Sequence, residues 1–249
     1  MIYVSKIINE EHYTVMHTEE TDISFQKTAW SEEKREQNLL NAFTLCKEAG
    51  IKAEANLAVV GFNQDDLSCR EVFGPDPNVI EKIPGNILIT ESDVCLMAWA
   101  ADCCLVALAG DDGKVIAVLH ASVKTFKNGV IDLAMAEMRK RGVKDIVAYV
   151  GICAGACCYE YSEEDAKVDF ADWPGFVLWS PTPGKVKLDL QGAVRASLRR
   201  QGAAQVFRIF PELVNSCNIC ARDGEKYIFP SYRREKGKNG QYGLFICKK

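Results

Sequence analysis

The stretch that most constrains the fold is Ala100–Thr125, which reads AADCCLVALAGDDGKVIAVLHASVKT. Two apolar runs flank a Gly/Asp turn in it: Leu105–Ala109 and Val115–Leu119, with Gly110–Gly113 between them. Short apolar runs without proline on both sides of such a turn predict a β-hairpin. A hairpin returns its two ends to one edge of a sheet, so Asp102–Cys104 and His120 are expected to be neighbours.

The side chains at these two ends carry chemistry. A thiol at Cys103, an imidazole at His120 and a carboxylate at Asp102 are the groups of a nucleophile, its base and the residue that orients the base. The same groups are ligands of a soft metal site. A buried thiol pair beside a core histidine is an equally good interpretation of the spacing, because free cysteine is commonly buried.

Charge and hydropathy limit the classes of partner. The chain has 249 residues and a net charge of −4, with 48% hydrophobic and 26% charged residues, which is typical of a globular protein with a sizeable core. The basic blocks, Arg139–Arg141 and Arg233-Arg234, are short, so we expect no nucleic-acid partner.

Neither an apolar signal core nor a run of about 18 apolar residues is present. We therefore expect no membrane partner and a cytoplasmic location.

Cysteine is unusually frequent, with 11 residues. The odd count and the vicinal pairs Cys103-Cys104 and Cys157-Cys158 argue against a disulfide scaffold, so we expect reduced thiols. Cys217-Asn-Ile-Cys220 is a lone CxxC, which the sequence places in a loop before a charged stretch rather than between a strand and a helix. This context does not favour a redox or zinc site there. The three histidines are too few for a multicopper cluster.

Hydrophobic periodicity predicts a mixture of strands and helices, and hence a single α/β or α+β domain over residues 1–249. The predicted strands are Ile2–Ile8, Tyr13–Met16, Leu57–Phe62, Asn86–Thr90, Val94–Trp99, Asp145–Val150 and Gln205–Phe210, with another closing the chain. The predicted helices are Trp30–Gly50, Gly129–Arg141, a short one opened by Ser162, and one that Asp189 caps and Gly202 ends. A loop is predicted after His120.

Four blocks in order resemble the laccase-domain family, also called the multicopper-polyphenol-oxidoreductase-like or YfiH family. AADCCLVALAGDDGKVIAVLHA resembles its ADC…HAGWRG core, and IPGNILIT its DGLIT strand. VGICAGACCYE resembles its CCYEVG loop. LDLQGAVRASLRRQG and SYRREKGKNGQYGLFI resemble its C-terminal helix and its SYRRD…TGR ending. The resemblance covers the chain from about residue 12 to the end.

The resemblance implies a single domain built as a four-layer α/β/β/α sandwich. It also implies a pocket that holds zinc on one cysteine and two histidines. The activities linked to the family are phosphorolysis of purine nucleosides such as adenosine, inosine and guanosine, deamination of adenosine and, in some members, editing of peptidoglycan precursors. Small-molecule substrates, a nucleoside and phosphate, are therefore expected.

Site residues transfer by position in the motifs. The metal-ligand cysteine corresponds to Cys103 and the following histidine to His120, with Asp102 before the cysteine as in the family. Lys124 stands where the family has the arginine of HAGWRG, and keeps the charge but not the planar fork. Tyr232 and Arg233 belong to the intact Ser-Tyr-Arg-Arg ending, so Lys124, Tyr232 and Arg233 are candidate substrate or phosphate ligands.

Two departures from the pattern weaken the predicted site. The family's first zinc histidine lies in a turn that reads Asn63–Asp66 here, so Asp65 or Gln64 takes its place. Glu19 replaces an early arginine, and its negative charge repels phosphate. A Cys103–His120–Asp65 zinc set remains chemically feasible because zinc accepts carboxylate oxygen, but we expect weaker binding.

Three functions are consistent with these residues. The first is a purine nucleoside phosphorylase with an altered zinc site. The second is a metal-independent hydrolase with Cys103 as nucleophile and His120 as base. The third is a degenerate paralogue that binds a ligand or partner without turnover. The lost histidine favours the last two, whereas the resemblance favours the first.

Overall fold

The structure is a computed structural model. It describes residues 4–18, 56–61, 67–73, 81–110, 112–213, 216–236 and 241–249. The predicted helix Trp30–Gly50, the turn Asn63–Asp66 and Glu19 lie outside the described residues. Among the residues that are described, no helix combines the length and apolar character that crossing a bilayer requires.

Two six-stranded sheets make up most of the described fold. The first has the order β1-β2-β17-β7-β3-β5, with antiparallel pairs from β1 to β7 and parallel pairs beyond. Its strands are β1 (Val4–Asn9), β2 (Tyr13–Thr18), β3 (Asn56–Gly61), β5 (Glu81–Pro84), β7 (Val94–Ala100) and β17 (Tyr242–Lys248).

The second sheet has the order β14-β10-β8-β9-β6-β4. Its strands are β4 (Cys69–Glu71), β6 (Ile87–Thr90), β8 (Cys104–Gly110), β9 (Ile116–Ala121), β10 (Ile146–Val150) and β14 (Gln205–Arg208). Two small sheets complete the set, one of β11 (Glu160–Ser162), β12 (Val177–Trp179) and β13 (Lys185–Leu188), the other of β15 (Arg222–Asp223) and β16 (Lys226–Tyr227).

The predicted hairpin is confirmed as β8–β9, and it lies at the centre of the second sheet. Both strands are buried along their whole length, which explains why their sequence is apolar on both faces. One face, with Leu105 and Val118, packs into a cluster shared with the first sheet. The other, with Val106 and Leu119, packs against helices. The hairpin is therefore sandwiched between a sheet and a helical layer.

The described helices are α1 (Val123–Lys127), α2 (Val130–Lys140), α3 (Glu163–Asp169), α4 (Leu190–Arg200) and α5 (Tyr232–Glu235), with a 3₁₀ turn at Pro174–Phe176. The helices predicted around α2, α3 and α4 are confirmed. Asp189 Oδ1 accepts from Gly192 N at 2.8 Å, as predicted for the cap of α4. The mixed α/β architecture is thus the one expected.

The predicted loop after His120 is wrong, because α1 begins there. Ser122 caps it: its hydroxyl accepts from Thr125 N at 3.1 Å, and Thr125 Oγ1 accepts from Ser122 N at 2.9 Å. This reciprocal pair satisfies N–H groups that a helix start leaves unbonded. Five residues are too few to show helical periodicity in the sequence.

One disulfide corrects the expectation of fully reduced thiols. Cys95 on β7 and Cys247 on β17 are bonded across neighbouring strands, with their Cα atoms 4.3 Å apart. Eight further cysteines in the described part of the chain are free thiols. The pair lies one position beyond Leu96 and Ile246, which oppose each other in the antiparallel register.

Candidate functional site

The ends of the β8–β9 hairpin bring the predicted residues to one edge of the second sheet. Leu105 pairs directly with His120 in the register of the two strands. Cys103 packs against the same inter-sheet cluster as Leu105. Because side chains alternate along a strand, His120 shares its face with Val118, which belongs to that cluster too. Cys103 and His120 therefore lie on the inter-sheet side of the same edge.

A neighbouring amide orients the His120 ring. His120 Nδ1 lies 3.1 Å from Asn86 Oδ1, and both residues are buried. An amide oxygen only accepts, so this contact selects the tautomer with its proton on Nδ1 and its lone pair on Nε2. Burial lowers the pKa of His120 to about 3, which keeps the imidazole neutral. A neutral imidazole held through one nitrogen is the form in which histidine binds a metal.

The environment of the Cys103 thiol favours its protonated form. Burial, followed by the negative charge of Asp102, raises its pKa to about 12, although the positive charge of Arg233 opposes the shift. A nucleophilic cysteine needs a lowered pKa. Together with the lowered pKa of His120, the raised pKa of Cys103 disfavours the thiolate–imidazolium pair of a cysteine hydrolase. A bound divalent cation would reverse the effect, because it favours the thiolate.

Asp102 connects four segments of the chain through hydrogen bonds. Its Oδ1 accepts from Asn218 Nδ2 and its Oδ2 from Arg233 N, both at 2.8 Å. Its carbonyl oxygen accepts from Ala154 N at 2.8 Å, and its N–H donates to Tyr242 Oη at 3.2 Å. Since both carboxylate oxygens already hold neighbours in place, these contacts favour a positioning role for Asp102.

The backbone of Asp102 adopts a conformation that side chains rarely take, with φ of 99°. Such a conformation costs on the order of 1 kcal/mol or more, and it persists only where surrounding contacts impose it. Tyr242 contributes by donating its hydroxyl to Cys103 O at 2.8 Å. The turn before β8 is therefore held tightly just where Cys103 is presented.

Arg233 is the candidate phosphate ligand that the structure places near Cys103. Its guanidinium donates to Glu160 O at 3.0 Å and stacks over the Tyr159 ring at 4.3 Å. Tyr232 precedes it and is exposed at the first position of α5. Lys124 is exposed on α1, next to the hairpin end. No described contact joins Lys124 or Tyr232 to Cys103.

An open pocket of about 500 Å³ adjoins Arg233. Four of the residues that line it are cations, and one is an acid: Lys187, Arg222, Arg233, Arg234 and Glu160. Three of the cations have side chains that donate to backbone carbonyls, and the bond from Arg233 to Glu160 O is one of them. Arg234 donates to Ile219 O at 2.8 Å, and Lys187 donates to Cys157 O. The lining gives the pocket a net positive charge, which suits an anionic ligand.

A cysteine and a histidine are two ligand types that zinc takes, so Cys103 and His120 fit the family's zinc as a donor set. The third candidate ligand, Asp65, and the alternative Gln64 lie outside the described residues, as does Glu19. The structure therefore brings together Asp102, Cys103, His120 and Arg233, and it leaves the role of Asp65 as a prediction.

Sequence reasoning missed a second group of possible metal ligands. Cys157, Cys158, Cys217 and Cys220 converge, with all four sulfurs within 4.8 Å of one another, and this cluster of four cysteines could bind a metal. We call it the four-thiol cluster. The sequence did show a vicinal pair and a CxxC, but Cys157 and Cys220 are 63 residues apart, so their proximity depends on the fold.

The sequence also did not single out His17 as a residue that contributes to the site. Its ring is fully buried between the sheets, stacked on Tyr242 and edge-on to Phe210 and Phe229. Burial lowers its pKa to about 3. The Tyr242 hydroxyl also forms hydrogen bonds with the Asp102–Cys103 turn. The aromatic side chains around His17 therefore pack against the residue that holds this turn in place.

Comparisons with known proteins agree with this architecture. A family model described as multi-copper polyphenol oxidoreductase laccase matches residues 57–249. A purine nucleoside phosphorylase of Clostridium acetobutylicum is 28% identical over 173 residues, covering 68% of this chain and 69% of the relative. One from Corynebacterium glutamicum is 28% identical over 198 residues, covering 75% and 76%.

Solved structures share the fold at lower identity. YlmD from Geobacillus stearothermophilus superposes with a TM-score of 0.76 at 19% identity, over 95% of this chain and 92% of its own. A Neisseria meningitidis protein gives a TM-score of 0.76 at 17% identity, over 99% of both chains. At these identities the likeness establishes the fold.

Proposed function

Because the chain belongs to the multi-copper polyphenol oxidoreductase laccase family, we propose that it is an enzyme that phosphorolyses purine nucleosides. Relatives at 28% identity that carry the name purine nucleoside phosphorylase support this choice. The proposed substrates are a purine nucleoside, such as adenosine, inosine or guanosine, and inorganic phosphate.

The observation that carries the proposal is the bond from Arg233 N to Asp102 Oδ2, 2.8 Å long. Asp102 immediately precedes Cys103, so this bond ties the Ser-Tyr-Arg-Arg segment to the hairpin end that holds Cys103 and His120. Two motifs that are 131 residues apart in the chain are thereby joined into one site. The Ser-Tyr-Arg-Arg segment offers a cation that can bind phosphate. The hairpin end offers Cys103 and His120, which can bind a metal ion or a proton.

The reaction needs a phosphate held against the sugar. A phosphate oxygen forms a bond to the anomeric carbon, the bond from that carbon to the purine nitrogen breaks, and the purine leaves with the electron pair and takes up a proton. In this proposal the Arg233 guanidinium binds phosphate, because its planar fork matches phosphate oxygens. Contacts with Glu160 and Tyr159 orient the guanidinium in advance, which lowers the entropy lost on binding.

Cys103 and His120 are the residues that would hold zinc, with Asp65 as the proposed third ligand. A zinc ion there would act as a Lewis acid on the substrate. Asn86 fixes the His120 tautomer, and Asp102 and Tyr242 fix the turn that presents Cys103. These contacts make Asp102 and Asn86 positioning residues in the proposal, whereas Arg233 is the residue that touches substrate.

The metal-independent hydrolase is less well supported. Its mechanism requires a thiolate at Cys103, and burial opposes that ionisation. A degenerate binding protein would keep the fold and the same backbone hydrogen bond from Arg233 to Asp102, so an activity assay is needed to separate it from an enzyme. Adenosine deamination remains a second proposed activity, in which water replaces the amino group and ammonia leaves.

The test is an assay of purified chain on adenosine, inosine and guanosine, with and without phosphate. We expect free purine and an equal amount of pentose 1-phosphate, formed only when phosphate is present. Formation of inosine from adenosine without phosphate reports the deaminase activity separately. Release of purine at the same rate with and without phosphate, with free ribose as product, would favour the hydrolase. If neither free purine nor inosine forms under any condition, the result would favour a binding protein without turnover.

A further inference from the structure

We propose that Cys157, Cys158, Cys217 and Cys220 bind one zinc ion as a structural site with four thiolate ligands. This site does not include Cys103 or His120 and does not depend on the proposed reaction, although Cys158 and Cys220 line the pocket beside Arg233. Cys157 and Cys158 lie in the small-residue loop before β11, whereas Cys217 and Cys220 form the CxxC turn after β14. The ion would therefore join two loops that no regular secondary structure connects.

The spacing of the sulfur atoms fits a single ion. Zinc–sulfur bonds of about 2.3 Å place tetrahedral sulfurs about 3.8 Å apart. All four sulfurs here lie within 4.8 Å of one another, and Cys157 Sγ and Cys220 Sγ are 3.5 Å apart. An iron–sulfur cluster interposes several irons and sulfides and needs its cysteines further apart. A group this compact suits one tetrahedral ion, and two pairs of closely spaced cysteines are a common pattern of structural zinc sites.

Backbone contacts already hold the two loops in register. Cys153 and Cys217 form a parallel bridge, and Asn218 N donates to Cys153 O at 3.0 Å. Gly155 N donates to Cys217 Sγ at 3.2 Å. An N–H group that points at a sulfur stabilises the thiolate form and orients it, as hydrogen-bond donors to metal ligands do. The ligands are thus preorganised before any ion enters.

Nearby cations compensate the charge that the site would carry. Four thiolates and one Zn²⁺ leave two net negative charges, which are costly near a protein interior. Arg234 donates to the carbonyls of Asn218 and Ile219, inside the CxxC turn. Lys187 donates to Cys157 O on the other loop. Each loop therefore carries a cation bonded to its own backbone beside the sulfurs.

The position of the cluster gives the ion a structural purpose. Asn218 lies between Cys217 and Cys220, and its side chain donates to Asp102 Oδ1. A zinc ion that fixes the CxxC turn also fixes Asn218, and through it the turn that presents Cys103. With four protein ligands the coordination is closed, so the ion has no open position for substrate.

The test measures the number of zinc ions per chain in the reduced protein. The unmodified chain is compared with the variants Cys220→Ser, Cys103→Ala and Cys69→Ser. Cys220 is exposed, so its substitution leaves the core intact, and Cys69 is a free thiol outside the cluster. We expect Cys220→Ser to lose about one zinc per chain, while Cys69→Ser loses none. Loss of zinc only in Cys103→Ala would overturn the proposal.

Alkylation of the unmodified chain provides a second test that needs no substitution. Zinc should slow alkylation of the three accessible cluster thiols, Cys157, Cys158 and Cys220, at least tenfold, and a chelator should restore it, while Cys69 reacts equally under both conditions. Equal alkylation of these three thiols with and without zinc would overturn the proposal. So would bound iron in place of zinc, or a Cys157–Cys220 disulfide whose reduced form takes up no metal.

Discussion

The β8–β9 hairpin and the four-thiol cluster both gather cysteines, but different forces hold them. Strand pairing and burial on both faces fix the hairpin, so its ends are positioned by a large apolar core. The cluster lies in loops, where Cys220 is exposed and Cys157 and Cys158 are only partly buried. Cys217 is buried, and backbone hydrogen bonds hold the two loops together. Apolar burial contributes less to the position of the other three thiols, so metal binding would add to the stability of the cluster.

Asp102 connects the two regions, because it precedes Cys103 and accepts from Asn218 of the CxxC turn. We expect the largest effect on stability from Asp102→Ala, about 2–4 kcal/mol of unfolding free energy, because it removes one buried and one partly buried charge-assisted hydrogen bond. Denaturant unfolding measures this loss. Asp102→Gly is the matched control: it removes the same carboxylate but relieves the positive φ, so it should be less destabilising by on the order of 1 kcal/mol. Equal losses of unfolding free energy in the two variants would contradict the inference that the positive φ of Asp102 is strained.

His17 tests the buried sheet region alone. Its folded pKa is about 3, whereas in the unfolded chain the ring titrates near 6.5. Between these values the unfolded state binds the extra proton, so stability is fully present above pH 6.5 and falls as the pH decreases through the window. The expected slope is on the order of 1 kcal/mol per pH unit. Denaturant unfolding at several pH values should show a shallower decrease in His17→Phe, and parallel curves would contradict this account.

Arg233 tests the contact between the pocket and the hairpin. Arg233→Ala removes the guanidinium but keeps the N–H that Asp102 accepts, so the fold should persist. We expect the KM for phosphate to rise about tenfold, with a smaller rise in Arg233→Lys, which keeps the charge without the fork. Steady-state kinetics with varied phosphate measure both. Arg222→Ala, in the same pocket, is the control, and an equal rise there would argue against a specific role for Arg233.

The smallest expected effect concerns the hairpin's exit into α1. Ser122→Ala removes the helix cap and should cost about 1 kcal/mol of unfolding free energy. Thermal or denaturant unfolding detects it. Ser162→Ala removes the N-cap hydrogen bond of α3, which is exposed and longer, at 3.4 Å. This substitution should therefore reduce the free energy of unfolding by less. A larger loss in Ser162→Ala would show that the hairpin end does not depend on its cap.

The features that the sequence predicted are those with local signals. The hairpin was recognisable from two apolar runs and a turn, and α2 and α4 from their 3.6-residue periodicity. The resemblance supplied the fold family, which residue patterns alone do not specify. The single domain over residues 1–249, the cytoplasmic location and the roles of Asp102, Cys103, His120, Lys124, Asp65, Tyr232 and Arg233 stay predictions.

Features that depend on distant residues were missed. The Cys95–Cys247 disulfide joins positions 152 residues apart, which become neighbours only because β17 inserts beside β7. The bond from Arg233 to Asp102 and the four-thiol cluster likewise depend on loops folded over the second sheet. No periodicity or spacing encodes such contacts, because each partner lies in a separate segment and only the folded chain brings the two together.

Phosphate-dependent purine release by Cys103→Ala and Cys220→Ser, compared with the unmodified chain, tests the division between the two regions most directly. Chemistry at the hairpin predicts a loss of at least about 100-fold in kcat/KM for Cys103→Ala. A structural cluster predicts that Cys220→Ser stays within about fivefold of the unmodified chain below its melting temperature. The reverse result, with activity lost in Cys220→Ser and kept in Cys103→Ala, would contradict the account.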